Sequence, residues 1–224
     1  MLSQSTLKDA FVHAVLEDIL SGHYTVGQRL PSEREFAKLM NISRTVVRSG
    51  IAELAAKGVI KILPRQGSVV ADFRTNGTIS IVNAMLTEGF EFFHELLNDF
   101  IAARYLFECE TASLAAELRT KDELTALFEA LQDETEYCGA SSHQIAVLTF
   151  AFHKAVVAAS HNLFYSIIIN SMENTYVQCL VRNYNAGVSF SEVKRRHAEL
   201  FEAIRLKDPP LAKKKMKYVL DCRV

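Results

Sequence analysis

Two arginines four residues apart are the side chains of this sequence best suited to reading a patterned polar surface. Arg44 and Arg48 follow Ser43, and residues i and i+4 emerge on one face of a helix. A guanidinium presents a planar fork of donors that matches the O6 and N7 acceptors of guanine. Taken alone, such a pair more often forms a solvated face, so the interpretation depends on the elements that would position it.

Three helices are predicted around this pair. Residues 6–20 carry apolar side chains at helical spacing. Ser32, with Glu35 three residues later, is typical of a capping box at a helix start. Ser43 is a good N-cap for the arginine-bearing helix, and Gly58 is placed to end it.

A β-hairpin is predicted directly after the third helix. Residues 59–63 and 68–73 are short and β-branched, and a polar, glycine-containing turn at 64–67 separates them. Three helices followed by a hairpin make a winged helix-turn-helix, whose second motif helix enters the major groove. The candidate DNA-binding residues are Arg34, Ser43, Arg44, Thr45 and Arg48 on the helices, with Arg65, Gln66 and Gly67 at the wing tip.

The rest of the chain is predicted to be all helical. After a polar linker at 74–78, helices are expected at 92–118, 121–137, 142–160, 163–183, 189–207 and 210–222. The fold class is therefore mostly α: a DNA-binding domain over residues 1–74, and a bundle of six or seven helices over 79–224 for effector binding and dimerisation.

Composition supports a cytoplasmic protein. Residues 1–74 carry ten Lys/Arg against seven Asp/Glu, and residues 75–224 carry fifteen against nineteen, so a mildly basic head is attached to an acidic body. A run of 18 apolar residues or a signal peptide is not found, and no membrane partner is expected. The four cysteines lack metal-like spacing and are expected to be reduced thiols.

Several separated motifs resemble the GntR family of bacterial regulators. They are Pro31-Ser-Glu-Arg-Glu-Phe-Ala, Ile42-Ser-Arg-Thr-Val-Val-Arg and Arg65-Gln-Gly-Ser-Val-Val. The helical part is similar to the effector domain (FCD type) of the FadR-like branch, through Arg104-Tyr-Leu-Phe-Glu, Phe150-Ala-Phe-His and His197-Ala-Glu-Leu-Phe. Ser49 and Gly50 depart from the usual Glu-Ala of the recognition helix, and Gly is a poor helix former by about 1 kcal/mol against Ala.

The resemblance also implies a site in the helical domain. Many members of this branch hold a divalent metal with one Asp and three His, of which this chain keeps His153 and His197. Thr149 and Val219 replace the other two ligands, so a metal cofactor is disfavoured. Without it, Arg104, Thr149, His153 and His197 are the candidate effector-binding residues, for an organic acid or an acyl-CoA.

The candidate effector-binding residues could instead have purely structural roles. Each histidine could be a satisfied, partly buried side chain, and Arg104 could pair with Glu108 or Glu110. The expected function is that of a homodimeric regulator, a repressor, which binds a pseudo-palindromic double-stranded operator and responds to a metabolite. Three functions compete with this one: an enzyme that uses His153 and His197 as acid and base, a metal-dependent sensor that uses the same histidines in a rearranged site, and an architectural DNA-binding protein. An enzyme is not expected, because the sequence shows no nucleophile–base spacing.

Overall fold

The computed structural model describes residues 6–88, 93–136 and 141–222. The chain divides into two compact units, Met1–Glu91 and Phe92–Val224, which we call the head and the helical unit. In the described ranges, none of the helices is both long and apolar enough to cross a membrane.

The head begins with the three predicted helices. Side chains at their starts satisfy backbone N–H groups that have no partner within the helix. Ser32 and Glu35 form the reciprocal capping box, and the Ser43 hydroxyl oxygen accepts a hydrogen bond from the Val46 N–H. The helices are α1 (Leu7–Leu20), α2 (Glu33–Leu39) and α3 (Arg44–Ala56).

The core of the head explains the unusual glycine of α3. Phe11 of α1 is fully buried and meets Phe36 of α2 edge to face, with ring centroids 5.3 Å apart. Gly50 faces the same ring: a Cβ atom there would lie 2.3 Å from Cδ1 of Phe11. The poor helix former is therefore at a close approach of α1 and α3, and a larger residue would clash with the core.

The wing is an antiparallel pair, β1 (Ile60–Leu63) and β2 (Gly67–Val70). Its turn places Arg65 at φ 63° and Gly67 at φ 90°, and the second is a conformation that glycine adopts at little cost. The predicted strands extended too far, to 59 and 73. The segment before α2 adds further pairing, because the Leu30 N–H donates to the Ser68 carbonyl.

The predicted linker at 74–78 is wrong in part, because it contains a helical turn. Asp72 accepts a hydrogen bond from the Arg74 N–H and so begins α4 (Phe73–Asn76), which precedes α5 (Ile79–Glu88). At the end of α3, Gly58 has φ 76°, and a Cβ atom there would lie 1.9 Å from the Asn76 carbonyl oxygen. The segment is packed against the end of α3.

Seven helices follow in the described part of the helical unit. One prediction is wrong: the helix expected at 163–183 is broken at Met172, whose φ −103° and ψ 2° are not helical. The predicted ends Phe92 and Tyr137, and Cys138, lie outside the described residues; Cys109, Cys179 and Cys222 are free thiols. The helices are α6 (Phe93–Leu118), α7 (Lys121–Glu136), α8 (Ser142–Ala158), α9 (Leu163–Ser171), α10 (Glu173–Asn185), α11 (Phe190–Arg205) and α12 (Pro209–Leu220).

The core of the helical unit lies where α6 and α12 pack together and where α8 packs against α7 and α10. Large side chains of α7, α8 and α11 are fully buried, among them Leu127, Phe152 and Leu200. Small residues of α6, such as Ala112 and Ala115, let neighbouring helices approach closely. This packing fixes the inner faces of α6, α8 and α11, which carry Arg104, His153 and His197.

Candidate functional site

The predicted DNA-binding residues all lie at the surface of the head. Arg44 and Arg48 occupy the first turns of α3, and their side chains retain 63% and 69% of their accessible surface. Arg34 on α2 is exposed, as are Arg65 and Gln66 at the wing tip. Ser43, Thr45 and Gly67 are also exposed. The arrangement presents donors on two separate elements, a helix start and a hairpin turn.

A carboxylate that the prediction did not include, Glu33, contacts both Arg44 and Arg48. Arg48 donates from Nε and Nη2 to the two carboxylate oxygens of Glu33, at 3.1 and 3.0 Å. Arg44 Nη2 lies 3.8 Å from the same carboxylate. These hydrogen bonds and the charges of both arginines lower the pKa of Glu33. Glu33 therefore holds Arg48 in place by the same bidentate geometry that a phosphate would use.

Arg29 is a second residue that the sequence analysis missed. It is exposed, its backbone pairs with Val69 of the wing, and its Nε and Nη2 atoms lie 3.7 Å from where a Cβ atom of Gly67 would be. The sequence did not indicate this position of Arg29, because it depends on the backbone pairing of its segment with β2.

The four predicted effector-binding residues line one cavity in the helical unit. This cavity, which we call the effector cavity after that prediction, has a volume of about 400 Å³, within the range of small-molecule sites. Its walls combine apolar and polar side chains. The apolar lining includes Leu97, Phe100, Ile101, Leu180, Val193 and Val219, and the polar lining includes Arg104, Thr149, His153, Arg182 and His197.

Arg104 belongs to a buried network centred on Glu108. Arg104 donates from Nε to Glu108 at 2.7 Å and from Nη2 to the Tyr176 hydroxyl, and its guanidinium lies 3.8 Å from the centroid of the Tyr176 ring. The Tyr176 hydroxyl donates to Glu108 at 3.0 Å, and Nδ1 of His153 lies 2.5 Å from the same carboxylate. Of the two predicted partners of Arg104, Glu108 forms the ion pair, whereas Glu110 pairs with Lys213.

The charges in this network decide its protonation. Burial by itself raises the pKa of Glu108, but the charge of Arg104, with the hydrogen bonds of His153 and Arg104, outweighs burial and brings it to about 2. Burial lowers the pKa of His153, although Glu108 opposes that shift. Burial also raises the pKa of Tyr176. At neutral pH the network therefore holds an ionised Glu108, a charged Arg104 and a neutral His153.

His197 has a buried carboxylate partner of its own. Its Nδ1 lies 2.8 and 2.9 Å from the two oxygens of Glu134, and both side chains are fully buried. The ring stacks on Phe152 with centroids 4.3 Å apart, and it meets His153 nearly at a right angle, with centroids 5.1 Å apart. The two imidazoles are thus fixed side by side, each held by a carboxylate.

The donor set around these imidazoles does not fit a divalent metal. Val219 is apolar, and the Thr149 hydroxyl is hydrogen bonded to the Tyr184 hydroxyl at 2.7 Å. Over the ranges that the structure describes, there is no group of three or more His, Cys, Asp or Glu side chains that could hold an ion. Two imidazoles without a carboxylate ligand make a weak site, because affinity depends on ligand number and geometry.

Glu134 and Glu108 carried a signal that could have been read in the sequence. Glu134 continues the stripe of Leu127 and Leu131 at helical spacing. Glu108 likewise stands four residues before Ala112 on the buried face of α6. A carboxylate inside an apolar stripe indicates a buried partner, which the sequence alone does not name.

Two family profiles together match most of the chain. The family described as "Bacterial regulatory proteins, gntR family" matches residues 7–70, which hold α1 to β2. The FCD domain matches residues 99–221, more than half of the chain.

Curated relatives and solved structures agree with these profiles. The Glc operon transcriptional activator of Escherichia coli K12 is 28% identical over 207 residues, covering 88% of this chain and 79% of that protein. LutR of Bacillus subtilis, an HTH-type transcriptional regulator, is 26% identical, covering 83% and 85%. A solved structure of Lar from Listeria monocytogenes has a TM-score of 0.61 at 17% identity, covers 98% of this chain and 95% of its own, and supports the fold. The chain therefore belongs to the GntR family of bacterial regulatory proteins, with a winged helix-turn-helix and an FCD domain, and is a DNA-binding transcription regulator rather than an enzyme.

Proposed function

We propose that the protein is a cytoplasmic, homodimeric repressor that binds a pseudo-palindromic operator and is controlled by a small carboxylic acid. In this proposal residues 1–74 bind DNA, and residues 79–224 bind the effector and form the dimer. A two-fold dimer presents two recognition helices to symmetric half-sites. Repression is the outcome when such a dimer covers a promoter and excludes polymerase.

The observation that carries the DNA-binding part is the exposure of Arg44 and Arg48 on the first turns of α3, beside a wing that ends in Arg65. The N-terminal residues of a recognition helix are the ones that reach base edges. The residues that we propose as DNA contacts are Arg34, Ser43, Arg44, Thr45, Arg48, Arg65, Gln66 and Gly67.

A gel-shift titration with DNA from upstream of the protein's own gene tests this assignment. Arg44→Ala should cost about 1–3 kcal/mol of specific binding, roughly a five- to 150-fold rise in Kd. Arg205→Ala, which removes an exposed arginine from the helical unit, is the matched control and should bind normally. Unchanged operator affinity in Arg44→Ala would remove Arg44 from the interface.

The effector part rests on the cavity. Its volume of about 400 Å³ suits a small acid better than a coenzyme A ester, and Arg104 and Arg182 add cationic groups to its wall. An effector changes operator affinity only by binding the two arrangements of the dimer unequally. The four proposed effector-binding residues are Arg104, Thr149, His153 and His197.

Two measurements test the effector and the sign of regulation. A thermal-shift screen of two- to six-carbon carboxylic acids should show a rise in Tm for at least one of them, and that acid should weaken operator binding. A reporter fused to the bound promoter should be more active when the gene for the protein is deleted. Lower activity on deletion would instead indicate activation, the role printed in the name of the Glc operon relative.

In the alternative function, a metal-dependent sensor, His153 and His197 would bind a metal ion instead of an organic acid. The donor set argues against it, since Thr149 is paired with Tyr184 and Val219 is apolar. Elemental analysis of protein purified without chelator should find less than one equivalent of any transition metal. A stoichiometric metal that is lost from His153→Ala would overturn the proposal.

A further inference from the structure

A third strand extends the wing beyond its hairpin. The segment before α2 pairs with β2, where the Gly27 N–H donates to the Val70 carbonyl and the Leu30 N–H donates to the Ser68 carbonyl, each at 2.9 Å. β2 is therefore the central strand of three, between this segment and β1. The resulting sheet has two distinct faces, because successive side chains of a strand point to opposite sides.

One face of this sheet carries positive charge. Arg29 and Lys61 both lie opposite Val69, one on each neighbouring strand. Directly opposed residues of antiparallel strands point to the same face, so these three side chains form a row across the sheet. Two strand spacings put the backbones of the two cations about 10 Å apart. Leu30 and Val70, the next residues along two of these strands, are buried on the opposite face, so the row lies on the outer face of the wing.

The side chain of Arg29 extends from this row towards the wing tip. Its Nε and Nη2 atoms lie 3.7 Å from where a Cβ atom of Gly67 would be. Gly67 ends the turn that carries Arg65 and Gln66. The charge of Arg29 therefore lies beside the turn that we propose as a DNA contact, although its backbone belongs to a segment 36 residues earlier in the chain than Arg65.

The wing has no carboxylate of its own to neutralise this charge. Residues 24–30 and 59–71, which supply the three strands and the turn, contain the cations Arg29, Lys61 and Arg65 and no Asp or Glu. All three cations are exposed, and none forms an ion pair with any residue that the structure describes. The proposed DNA-binding arginines of α3, by contrast, share one carboxylate. Unpaired cations on a surface without acids fit a polyanion, and the polyanion that a DNA-binding head meets is the phosphate backbone.

We propose that Arg29 and Lys61 contact phosphates of the operator, so that the outer face of the wing adds sequence-independent affinity to the recognition by α3. The inference rests on the proposed DNA-binding role of the head and adds two residues to it. Phosphate contacts fix the position of a protein on the duplex but do not read its bases. Each neutralised phosphate also releases counterions, so each such contact makes binding more sensitive to salt.

Fluorescence anisotropy of the full chain tests the inference on two duplexes, one from upstream of the protein's own gene and one of random sequence. Between 50 and 200 mM salt, the Kd of Arg29→Ala and of Lys61→Ala should each rise roughly three- to fourfold less than the Kd of the native chain, because one counterion-releasing contact is gone. In the double variant the rise should be smaller by roughly tenfold. Both duplexes should show the same change, since phosphates carry no sequence information. Lys154→Ala, which removes an exposed cation from α8, should match the native chain.

Arg29→Lys separates the charge of Arg29 from its shape. A phosphate contact needs a nearby positive charge, so this variant should keep the salt dependence of the native chain. A change as large as that of Arg29→Ala would mean that the planar guanidinium acts by packing on the wing turn or by reading a base, and would overturn the inference. All of these variants should keep the Tm of the native chain, since both side chains are exposed.

The outcomes separate this inference from the proposed function. Unchanged salt dependence in Arg29→Ala and Lys61→Ala would overturn the phosphate contacts, and the DNA-binding role would still stand if Arg44→Ala weakens binding to the upstream duplex. A loss confined to the upstream duplex would also overturn the inference, because it would indicate base reading. If the native chain binds neither duplex, the proposed DNA-binding role fails and this inference fails with it.

Discussion

Glu33 holds Arg48 by two parallel hydrogen bonds, from Nε at 3.1 Å and from Nη2 at 3.0 Å, on the surface proposed to meet DNA. The pair resembles the contact that a guanidinium makes with a phosphate or a guanine. DNA must therefore compete with Glu33 for Arg48, and the carboxylate also repels the phosphate backbone.

Glu33→Gln should bind non-specific duplex DNA more tightly, by roughly two- to tenfold at low salt, because a negative charge is removed beside two arginines. Fluorescence anisotropy across a salt series measures the effect. Glu35→Gln is the matched control, since it removes a charge from the same helix turn, and glutamine still serves in a capping box. Weaker binding by Glu33→Gln would mean that Glu33 positions Arg48 in the complex.

Gly50→Ala should destabilise the head although alanine is the better helix former. The added Cβ would lie 2.3 Å from the buried Phe11 ring, and overpacking of this kind costs about 1–3 kcal/mol. Urea denaturation monitored by circular dichroism gives the change. Ser49→Ala, at an exposed position next in the helix, should be neutral or slightly stabilising. Phe11→Leu/Gly50→Ala should recover part of the loss; equal stability of Gly50→Ala and the native chain would contradict the packing.

Gly58→Ala should cost more than a comparable substitution in open space. Both Gly58 and Gly22 have positive φ, at 76° and 82°, so alanine pays backbone strain of about 1–2 kcal/mol at either position. At Gly58 the Cβ would also lie 1.9 Å from the Asn76 carbonyl oxygen, whereas nothing lies within 4 Å at Gly22. Thermal unfolding of the two variants should therefore differ, and equal Tm values would contradict the close approach.

Glu108→Gln should destabilise the helical unit in a pH-dependent way. Removing one partner of a buried ion pair costs about 3–5 kcal/mol, because Arg104 is left without its counter-charge. The folded pKa of Glu108, about 2, lies below its ordinary value of 4.5. Its stabilisation is therefore complete above pH 4.5 and is lost as the pH falls toward 2.

Urea denaturation from pH 7 to pH 3.5 checks this prediction. The difference between the native chain and Glu108→Gln should be constant down to about pH 4.5 and then shrink. Glu110→Gln on the same helix, which breaks an exposed pair with Lys213, should have little effect at any pH. A difference that does not change with pH would mean that Glu108 has the same pKa in the folded and the unfolded chain.

The local features of the head could be predicted from sequence because their causes lie within a few residues. Ser32, Ser43 and Gly58 set helix ends through their own side-chain and backbone chemistry. The break at Met172 could not be predicted, since no glycine or proline marks it. It separates α9 from Tyr176, which contacts Glu108 on α6 from the first turn of α10.

The candidate effector site was predicted only in part for a related reason. Arg104, His153 and His197 were named through the resemblance, but the carboxylates that orient the histidines lie 45 and 63 residues away from them. Such pairings depend on how helices pack, which a single sequence does not report. The replacement of ligands by Thr149 and Val219 was readable, whereas the Tyr184 partner of Thr149 was not.

The close contact at the end of α3 has a mechanical consequence. The Thr78 N–H donates to the Lys57 carbonyl, and the Thr78 hydroxyl donates to the Ala56 carbonyl, so the residue just before α5 caps the helix that carries Arg44 and Arg48. Gly58 also packs closely against Asn76, so the segment between α3 and α5 has little room to move. A displacement of the start of α5 should therefore also move the helix that carries Arg44 and Arg48, because these contacts connect the two segments directly.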